Sequence, residues 1–244
     1  MDAYQQLILP FWNACNFYIS YANIDDYRPD ADVVPKSDNQ LDKWVLAKLY
    51  QTEKAISDNM DNYQINHYVE HMLSLVDGIT NWYIRRSRRR FWKSENDGDK
   101  NAAYGTMYKV LVDFSKILAP FLPLLAEEIY QILVREVDDK APVSVHLCEF
   151  PSADKSLMDE KLVERIAMVR GMVEMGRVIR ATNNVKNRMP IASMTVVAHG
   201  ETEKNVAETM QDLILEELNV REMKFLEDET KLVKFFSTAL CKAN

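Results

Sequence analysis

A run of twelve residues, NWYIRRSRRRFW from Asn81 to Trp92, holds five arginines between aromatic residues and contains no acidic residue. Guanidinium groups match the geometry of phosphate oxygens because they present parallel N–H donors. Aromatic rings beside them offer faces on which unpaired bases stack, at about 1 to 3 kcal/mol per base. This combination favours binding of a single-stranded RNA loop. A solvated helix end whose aromatic residues lie in the core is the alternative interpretation.

The arginines continue a helix whose apolar residues recur every three or four positions. They form one core-facing stripe of Ile65, Val69, Met72, Val76, Ile79 and Tyr83. At 100° per residue, Arg86 and Arg90 lie near the core side, where a guanidinium needs a carboxylate partner. We therefore predict structural ion pairs for these two residues. Arg85, Arg88 and Arg89 lie on the solvated side and are available to a ligand.

A second basic segment is GRVIRATNNVKNRMPI, residues 176–191. It places Arg177 and Arg180 three positions apart on a helix, with Lys186 and Arg188 just beyond the end of that helix. If the fold brings the two basic segments to one side, they form a phosphate-binding face long enough for an RNA stem and loop.

The charge of the chain is unevenly distributed. The formal net charge is -7, and residues 200–230 account for all of it. Residues 81–93, in contrast, carry six basic side chains and no acidic one. An anionic partner is therefore compatible with an acidic chain.

The composition predicts a soluble, mainly helical protein of one or two domains. The 244 residues include Gly 6 and Pro 8, which are low counts, and the apolar run 117–126 is too short to span a membrane. The N-terminus does not resemble a signal peptide. Cys15, Cys148 and Cys241 form no CxxC pair, which fits a reducing compartment. We expect a cytoplasmic protein without a membrane partner.

One short motif raises the possibility of a metal site. His67, Glu70 and His71 match H-x-x-E-H, the pattern of inverzincin zinc proteases. Both histidines fall on one helix face, but this face is the solvated one, and no downstream helix offers a third ligand. We expect no metal site and interpret these residues as surface histidines. The sequence also contains no Gly-rich phosphate loop and no G-x-S-x-G, so we expect no catalytic residues.

Hydrophobic periodicity and turn residues predict a helical bundle followed by a small α/β subdomain. An S-x-x-Q capping box at Ser37 is predicted to open the second helix. Gly171 and Gly176 either weaken the middle of a long helix or mark a close helix contact. The predicted domains are 1–150, a connecting helix with a basic end at 151–190, and a truncated subdomain at 191–244. The predicted helices cover 4–24, 37–60, 61–93, 102–118, 123–136, 156–183 and 203–218, and the extended segments cover 144–150, 191–199 and 220–226.

Five stretches, taken together, resemble the C-terminal part of isoleucyl-tRNA synthetases and occur in the same order. They are LILPFWNACNFYISYANID, NWYIRRSRRRFW, LAPFLPLLAEEIY, SVHLCEFP and GRVIRATNNVKNRMPI. The form RRSRRRFW is similar to isoleucyl enzymes more than to valyl and leucyl enzymes, which share mainly the LAPFLPLLAEEIY type of motif. The resemblance covers residues 5 to 226, and the tail FFSTALCKAN departs from it.

The resemblance implies a helical anticodon-binding domain joined to a class I catalytic core that uses ATP and Mg²⁺ to esterify tRNA-Ile with isoleucine. The 244 residues contain neither a HIGH-like nor a KMSKS-like motif. We therefore expect a monomeric, non-catalytic fragment with no cofactor of its own. Its implied partners are the anticodon stem-loop of tRNA-Ile and the catalytic and editing domains of the same full-length chain.

The basic segments and the resemblance together predict the RNA contacts. Trp82 or Trp92 is expected to stack on bases. Phosphate contacts are expected from Arg85, Arg88, Arg89, Arg177, Arg180, Lys186 and Arg188. The alternatives are an anticodon-binding domain of a valyl or leucyl enzyme, a helical protein-interaction scaffold that docks through the acidic segment 200–230, and a zinc hydrolase.

Overall fold

The computed structural model describes residues 4–29, 36–93, 97–152, 157–198 and 200–226, without the side chains of residues 65 and 66. The chain divides into two compact units between Glu160 and Lys161. The N-terminal unit is helical, and the C-terminal unit contains helices and a two-stranded sheet. The predicted fold class, mainly α with a small α/β subdomain, is confirmed.

The N-terminal unit is built from α1 (Leu9–Ile24), α2 (Gln40–Asp61), α3 (Ile65–Asp77), α4 (Arg85–Trp92), α5 (Gly98–Leu118) and α6 (Pro123–Tyr130). The π-helical segments Tyr4–Ile8, Gly78–Ile84 and Gln131–Arg135 precede α1, join α3 to α4 and extend α6, respectively. Residues 65–92 therefore form one helical run, as the apolar stripe predicts. Within the part of the chain that the structure describes, no helix has both the length and the apolar character needed to cross a membrane.

Short polar side chains fix where two of the helices begin. The side chains of Asn39 and Asp97 cap α2 and α5 by accepting hydrogen bonds from backbone N–H groups of the first turn, at 2.9 and 2.7 Å. The capping box predicted at Ser37 is wrong, because the Ser37 hydroxyl donates to the Asp42 carboxylate at 2.6 Å instead. Pro123 occupies the first turn of α6, where its missing N–H costs nothing.

Most of the predicted apolar stripe lies in the core. Met72, Val76, Ile79 and Tyr83 are buried, but Val69 is 39% exposed. The expectation for Val69 is therefore wrong, because periodicity identifies a helix face and does not show where the neighbouring helices cover it. Trp82 is also buried, so the core-facing surface at this point is wider than the stripe.

Edge-to-face aromatic contacts join α1, α4 and α5 in the core. The ring centroids of Phe11 and Phe114 lie 4.8 Å apart. Phe91 of α4 contacts Phe17 of α1 at 5.3 Å and Tyr104 of α5 at 5.0 Å. Each such pair contributes about 0.5 to 1.5 kcal/mol beyond its buried area. Phe91 therefore anchors the end of the arginine-rich helix between two others.

The segment predicted as extended at 144–150 contains a 3₁₀ turn, Val145–Leu147, and forms no strand. One carboxylate oxygen of Glu127 accepts hydrogen bonds from the Ser144 hydroxyl at 2.8 Å and from the Val145 N–H at 3.0 Å. These bonds tie the segment to α6, so its backbone follows a helix end and does not pair with a strand.

The C-terminal unit consists of α7 (Glu160–Thr182), β1 (Ile191–Val197), α8 (Glu201–Thr209), α9 (Gln211–Leu218) and β2 (Val220–Leu226). The two strands pair in parallel, with Ile191 opposite Val220. Parallel pairing requires a crossover connection, which α8 and α9 supply. The single helix predicted at 203–218 is thus interrupted at Met210, and the predicted strand at 220–226 is confirmed.

The long helix α7 buries Leu162, Ile166, Val169 and Val173, as its period predicts. At Gly176, a Cβ atom would overlap the side chain of Leu218, the last residue of α9. Gly176 therefore lies at a close contact with another helix, which agrees with one of the two interpretations given to it.

The core of the N-terminal unit contains a carboxyl group without hydrogen bonds. Glu53 of α2 is buried, and neither of its carboxyl oxygens has a hydrogen-bond partner among the described residues. Burial, together with the nearby charge of Asp113, raises its pKa to about 8, although Lys109 and Lys116 oppose the increase. Glu53 is therefore protonated in the folded protein at neutral pH.

We expect Glu53→Gln to remove a pH dependence of stability. Because the folded pKa lies above the ordinary value of 4.5, the stability of the parent protein is highest below pH 4.5 with respect to this group. It falls as the pH rises to about 8, by at most about 1.4 kcal/mol per pH unit. Urea unfolding of both proteins from pH 4 to 9 measures the difference.

The variant should match the parent near pH 4 and become progressively more stable than the parent as the pH rises from 4.5 to about 8. Glu128→Gln, at an exposed position of α6, is the matched control and should change little. A constant difference between Glu53→Gln and the parent across the pH range would contradict the prediction.

Candidate nucleic-acid interface

The helix α4 separates its arginines by face. Arg85, Arg88 and Arg89 are exposed, Arg86 is half-buried and Arg90 is buried. Ser87 and Phe91 of the same helix are buried, so they mark its core side. The exposed arginines lie along its solvated side. We call Arg85, Arg88 and Arg89 the arginine face. This face places three guanidinium groups where an anionic ligand has access to them.

The buried arginine of α4 is held by a carboxylate of α2. Arg90 forms a bidentate pair with Asp42, with N–O distances of 2.6 and 2.8 Å. Asp42 is 0% exposed and also accepts from the hydroxyl groups of Tyr83 at 2.8 Å and Ser37 at 2.6 Å. Burial alone would lower the pKa of the Arg90 guanidinium, but the hydrogen bonds to Asp42 raise it above its ordinary value. The Arg90 guanidinium therefore remains charged.

A second carboxylate extends this network to α5. Arg90 also pairs with Asp99 at 2.8 Å and donates to the Asp99 carbonyl at 2.9 Å. Lys93, just after α4, lies 3.5 Å from both Asp97 and Asp99. The C-terminal end of α4 is thus fixed to the N-terminal end of α5 by two basic side chains.

A buried lysine connects the same region to α1. The ammonium group of Lys100 pairs with Asp25 at 2.6 Å and donates to the Lys93 carbonyl at 2.7 Å. Tyr104 also donates to Asp25. Burial raises the pKa of Asp25, but the hydrogen bonds from Lys100 and Tyr104 outweigh burial and hold the pKa below its ordinary value. The end of α4 is therefore braced from α1, α2 and α5.

The two tryptophans predicted to stack on bases differ in accessibility. Trp82 is 3% exposed, and the guanidinium carbons of Arg85 and Arg86 lie 5.8 and 5.5 Å from its ring centroid. A buried ring cannot receive a base, so the stacking role predicted for Trp82 is corrected to a core role. Trp92 is 57% exposed, and its indole N–H donates to the Tyr21 hydroxyl at 2.6 Å.

In the second basic segment, Arg180 is turned inward. It is 3% exposed and donates to the backbone carbonyls of Lys186 at 2.7 Å, Asn187 at 3.3 Å and Met189. Its guanidinium therefore fixes the loop after α7 and is not accessible to phosphate. The phosphate contact predicted for Arg180 is corrected to this structural role, because the chain folds back over the helix end and its carbonyls need donors.

The other basic residues of this segment are more accessible. Arg177 is half-buried and pairs with Glu217 of α9 at 2.5 Å. Lys186 and Arg188 are exposed. Four basic residues of this unit were predicted to contact phosphate. Two of them, Lys186 and Arg188, are exposed on the loop that Arg180 fixes.

The H-x-x-E-H motif does not assemble a metal site. His67 and Glu70 are exposed on α3, and His71 is half-buried. Within residues 4–29, 36–93, 97–152, 157–198 and 200–226, no group of three or more His, Cys, Asp or Glu side chains could hold a metal ion. The zinc-hydrolase alternative therefore has no site in the described part of the chain.

The model of one protein family, the anticodon-binding domain of tRNA ligase, matches residues 42–196. The chain belongs to this family. The match includes α4 with its arginine face and also Arg177, Lys186 and Arg188. The face and the loop described above are therefore parts of an anticodon-binding domain.

Several curated relatives of the anticodon-binding domain are named isoleucine–tRNA ligase. The protein from Dehalococcoides mccartyi (strain CBDB1) is 42% identical over 93% of this chain and 22% of the relative's length. The proteins from Treponema denticola and Clostridium novyi are 37% and 38% identical over 98% and 96% of this chain, again 22% of their lengths. The chain thus spans about a fifth of the relatives that it matches.

The residues that support the arginine face were largely missed by sequence reasoning. A carboxylate partner for Arg90 was expected, but Asp42 and Asp99 were not identified. In the sequence, Asp42 stands out only as an acidic residue near the start of a predicted helix. Tyr21, which orients Trp92, lies 71 residues away in sequence and gives no signal.

We expect Asp42→Asn to destabilise the anticodon-binding domain strongly, because Arg90 would keep its charge while losing its buried partner. Breaking such a pair costs about 3 to 5 kcal/mol, and the remaining Asp99 contact places the expected value near the lower limit. Urea unfolding followed by circular dichroism measures the loss.

Ser37→Ala is the matched control, since it removes one hydroxyl donor from the same carboxylate and leaves the ion pair intact. Its expected cost is about 1 to 2 kcal/mol. Equal losses of stability in the two variants would contradict the prediction, because the ion pair would then contribute no more than the hydroxyl hydrogen bond.

We expect Arg180→Met to loosen the loop after α7, because three backbone carbonyls lose their hydrogen-bond donor. Each buried carbonyl left without a donor costs about 1 kcal/mol or more of stability. Hydrogen exchange of the backbone amides of residues 183–189 should become faster in this variant. Arg188→Met, an exposed change in the same loop, should leave exchange nearly unchanged. Identical exchange in both variants would refute the structural role of Arg180.

Proposed function

We propose that the chain binds the anticodon stem-loop of tRNA-Ile as a non-catalytic part of an isoleucine–tRNA ligase. The observation that carries this proposal is the arginine face, three exposed guanidinium groups on a helix whose end is pinned by the Asp42–Arg90 pair. A fixed helix removes the cost of ordering the backbone that carries these guanidinium groups when they meet phosphates. Membership of the anticodon-binding family and the names of the relatives support the choice of ligand.

Base contact is assigned to Trp92 in this proposal. Its ring is exposed, and the hydrogen bond to Tyr21 restricts its orientation. A positioned aromatic face next to guanidinium groups suits an unpaired base of the loop. Trp82 and Arg180 have no ligand contact in this proposal, because both side chains are buried.

Phosphate contacts from the C-terminal unit are assigned to Lys186 and Arg188, with Arg177 as a further contributor. Both loop residues are exposed, and Arg180 holds the backbone on which they lie. Each basic residue that neutralises a phosphate adds to the salt dependence of binding. The basic residues of each unit should therefore make their own contribution to the salt dependence of RNA binding.

The remaining features of the full enzyme belong to the same proposal. The catalytic and editing domains would be partners within one full-length, monomeric, cytoplasmic chain. That catalytic core would use ATP and Mg²⁺ to activate isoleucine. The residues described above would hold the tRNA and supply no group to the reaction.

The first test is binding of the chain to tRNA-Ile and to an anticodon-swapped version across a salt titration. We expect binding that weakens as salt rises and that retains a preference for the native anticodon. The double charge reversal Arg88→Glu and Arg89→Glu should weaken binding and reduce the salt slope by about 2, since each lost phosphate contact removes roughly one ion from the slope.

Lys54→Glu with Lys140→Glu is the matched control, because it changes the net charge equally at exposed positions outside the arginine face. The proposal fails if both double variants lower the affinity and the slope by the same amount. Such a result would reduce the role of the arginines to overall charge.

A further inference from the structure

The long helix α7 carries apolar residues on two opposite sides. Its buried side consists of Leu162, Ile166, Val169 and Val173. On the other side, Met175, Val178 and Ile179 are 61%, 59% and 64% exposed. A helix that is apolar on both sides typically lies between two packed layers. The exposed side of α7 is therefore a contact surface for a further element.

The spacing on this exposed side is that of a coiled-coil helix. Steps of four and three residues alternate along it, which is the heptad period that keeps one strip of side chains facing a partner helix. We call this strip the α7 seam. It consists of Glu164, Met168, Gly171, Met175, Val178 and Thr182. All of these residues are exposed except Met168, which is half-buried.

The glycine of the α7 seam has no packing role among the described residues. A Cβ atom at Gly171 would meet no described atom within 4 Å, whereas one at Gly176 would overlap Leu218. A glycine inside a helix lowers its stability relative to alanine. On the seam, the missing side chain leaves room for a large side chain of a partner helix.

The α7 seam is complementary to itself when two copies run antiparallel. A two-fold axis midway between Gly171 and Met175 places these residues opposite each other, so the methionine of one copy fills the gap at the glycine of the other. The same axis places Met168 opposite Val178. A parallel pair would instead set Gly171 against Gly171 and leave the gap empty. The heptad positions of an isologous dimer thus match in size only in the antiparallel direction.

The charges along α7 favour the same direction. The seam begins at the acidic Glu164, and the exposed Lys186 and Arg188 follow the end of the helix. Antiparallel pairing brings the acidic beginning of one copy to the basic end of the other, and it also sets the two helix dipoles in opposite directions. Parallel pairing would bring like charges together.

The size of the seam sets the strength of the contact. Its 18 steps from Glu164 to Thr182 span about 27 Å at a width of roughly 10 Å, so two facing strips cover about 540 Å². Stable interfaces exceed about 1,000 Å², and smaller ones are weak and reversible. We therefore expect a dissociation constant on the order of 100 µM.

We propose that the α7 seam is the docking surface for a second copy of this chain, paired antiparallel about a two-fold axis between Gly171 and Met175. This inference concerns the 244-residue chain by itself and replaces the monomer expected for it from the sequence. It does not rest on RNA binding by the arginine face. Either proposal can therefore fail without the other.

The test is sedimentation equilibrium of the 244-residue chain without RNA, from about 10 to about 1,000 µM. The average mass should rise with concentration towards twice that of the monomer. Met175→Glu puts a charge at the centre of the seam and should weaken association at least tenfold. Met60→Glu makes the same change at an exposed position of α2 and is the matched control, with association unchanged. Circular dichroism checks that both variants are folded.

A second variant tests the direction of pairing. Glu174 is exposed beside the seam, and the proposed axis brings it next to Glu174 of the other copy. Like charges at flanking heptad positions repel, so Glu174→Gln should strengthen association about two- to threefold. Glu208→Gln removes one negative charge at an exposed position of α8 and should have no such effect.

Three results would overturn the proposal. One is a chain that stays monomeric over the whole concentration range, and another is equal weakening by Met175→Glu and Met60→Glu. The third is a monomeric chain that Met175→Glu destabilises in urea unfolding, which would assign the seam to a contact within the chain. Association that Met175→Glu abolishes and Glu174→Gln leaves unchanged would overturn the antiparallel arrangement.

Discussion

One buried carboxylate determines how the arginine-rich helix is presented. Asp42 of α2 accepts hydrogen bonds from Arg90, Tyr83 and Ser37, and it has no exposed surface. Two charges removed from water are tolerated only when each compensates the other with good geometry, and the bidentate pair meets that condition. Because Arg90 must face Asp42, the rotation of α4 about its axis is fixed. The exposed positions of α4 are then fixed as well.

Arginine side chains have two opposite roles in this chain. Arg90 and Arg180 turn inward and satisfy carboxylates or backbone carbonyls, whereas Arg88 and Arg89 are exposed on the arginine face. Guanidinium suits both tasks, because it presents five donors in a fixed plane and stays charged at every physiological pH. The inward arginines hold the backbone on which the outward basic groups are displayed. A count of basic residues therefore overestimates the number that a nucleic acid can contact.

The chain is acidic overall and yet suited to an anion, because its charges are segregated. Residues 200–230 carry the whole net charge of -7, while the arginine face belongs to a segment with no acidic residue. At physiological salt, an anion interacts most strongly with the charges that lie within about 8 Å of it. The sign of the net charge therefore does not by itself identify the kind of partner.

The sequence by itself determined most of the helices, the order of the two C-terminal strands and the division of the exposed from the buried arginines of α4, because a period of 3.6 residues assigns each side chain to a helix face. It also carried the motifs that indicate the anticodon-binding family. The tertiary structure alone decided which groups meet. It paired Arg90 with a carboxylate 48 residues away, buried Trp82, left Val69 exposed and folded a loop over Arg180. The physical reason is that periodicity describes one helix at a time, whereas burial and hydrogen bonding depend on what the rest of the chain places against it.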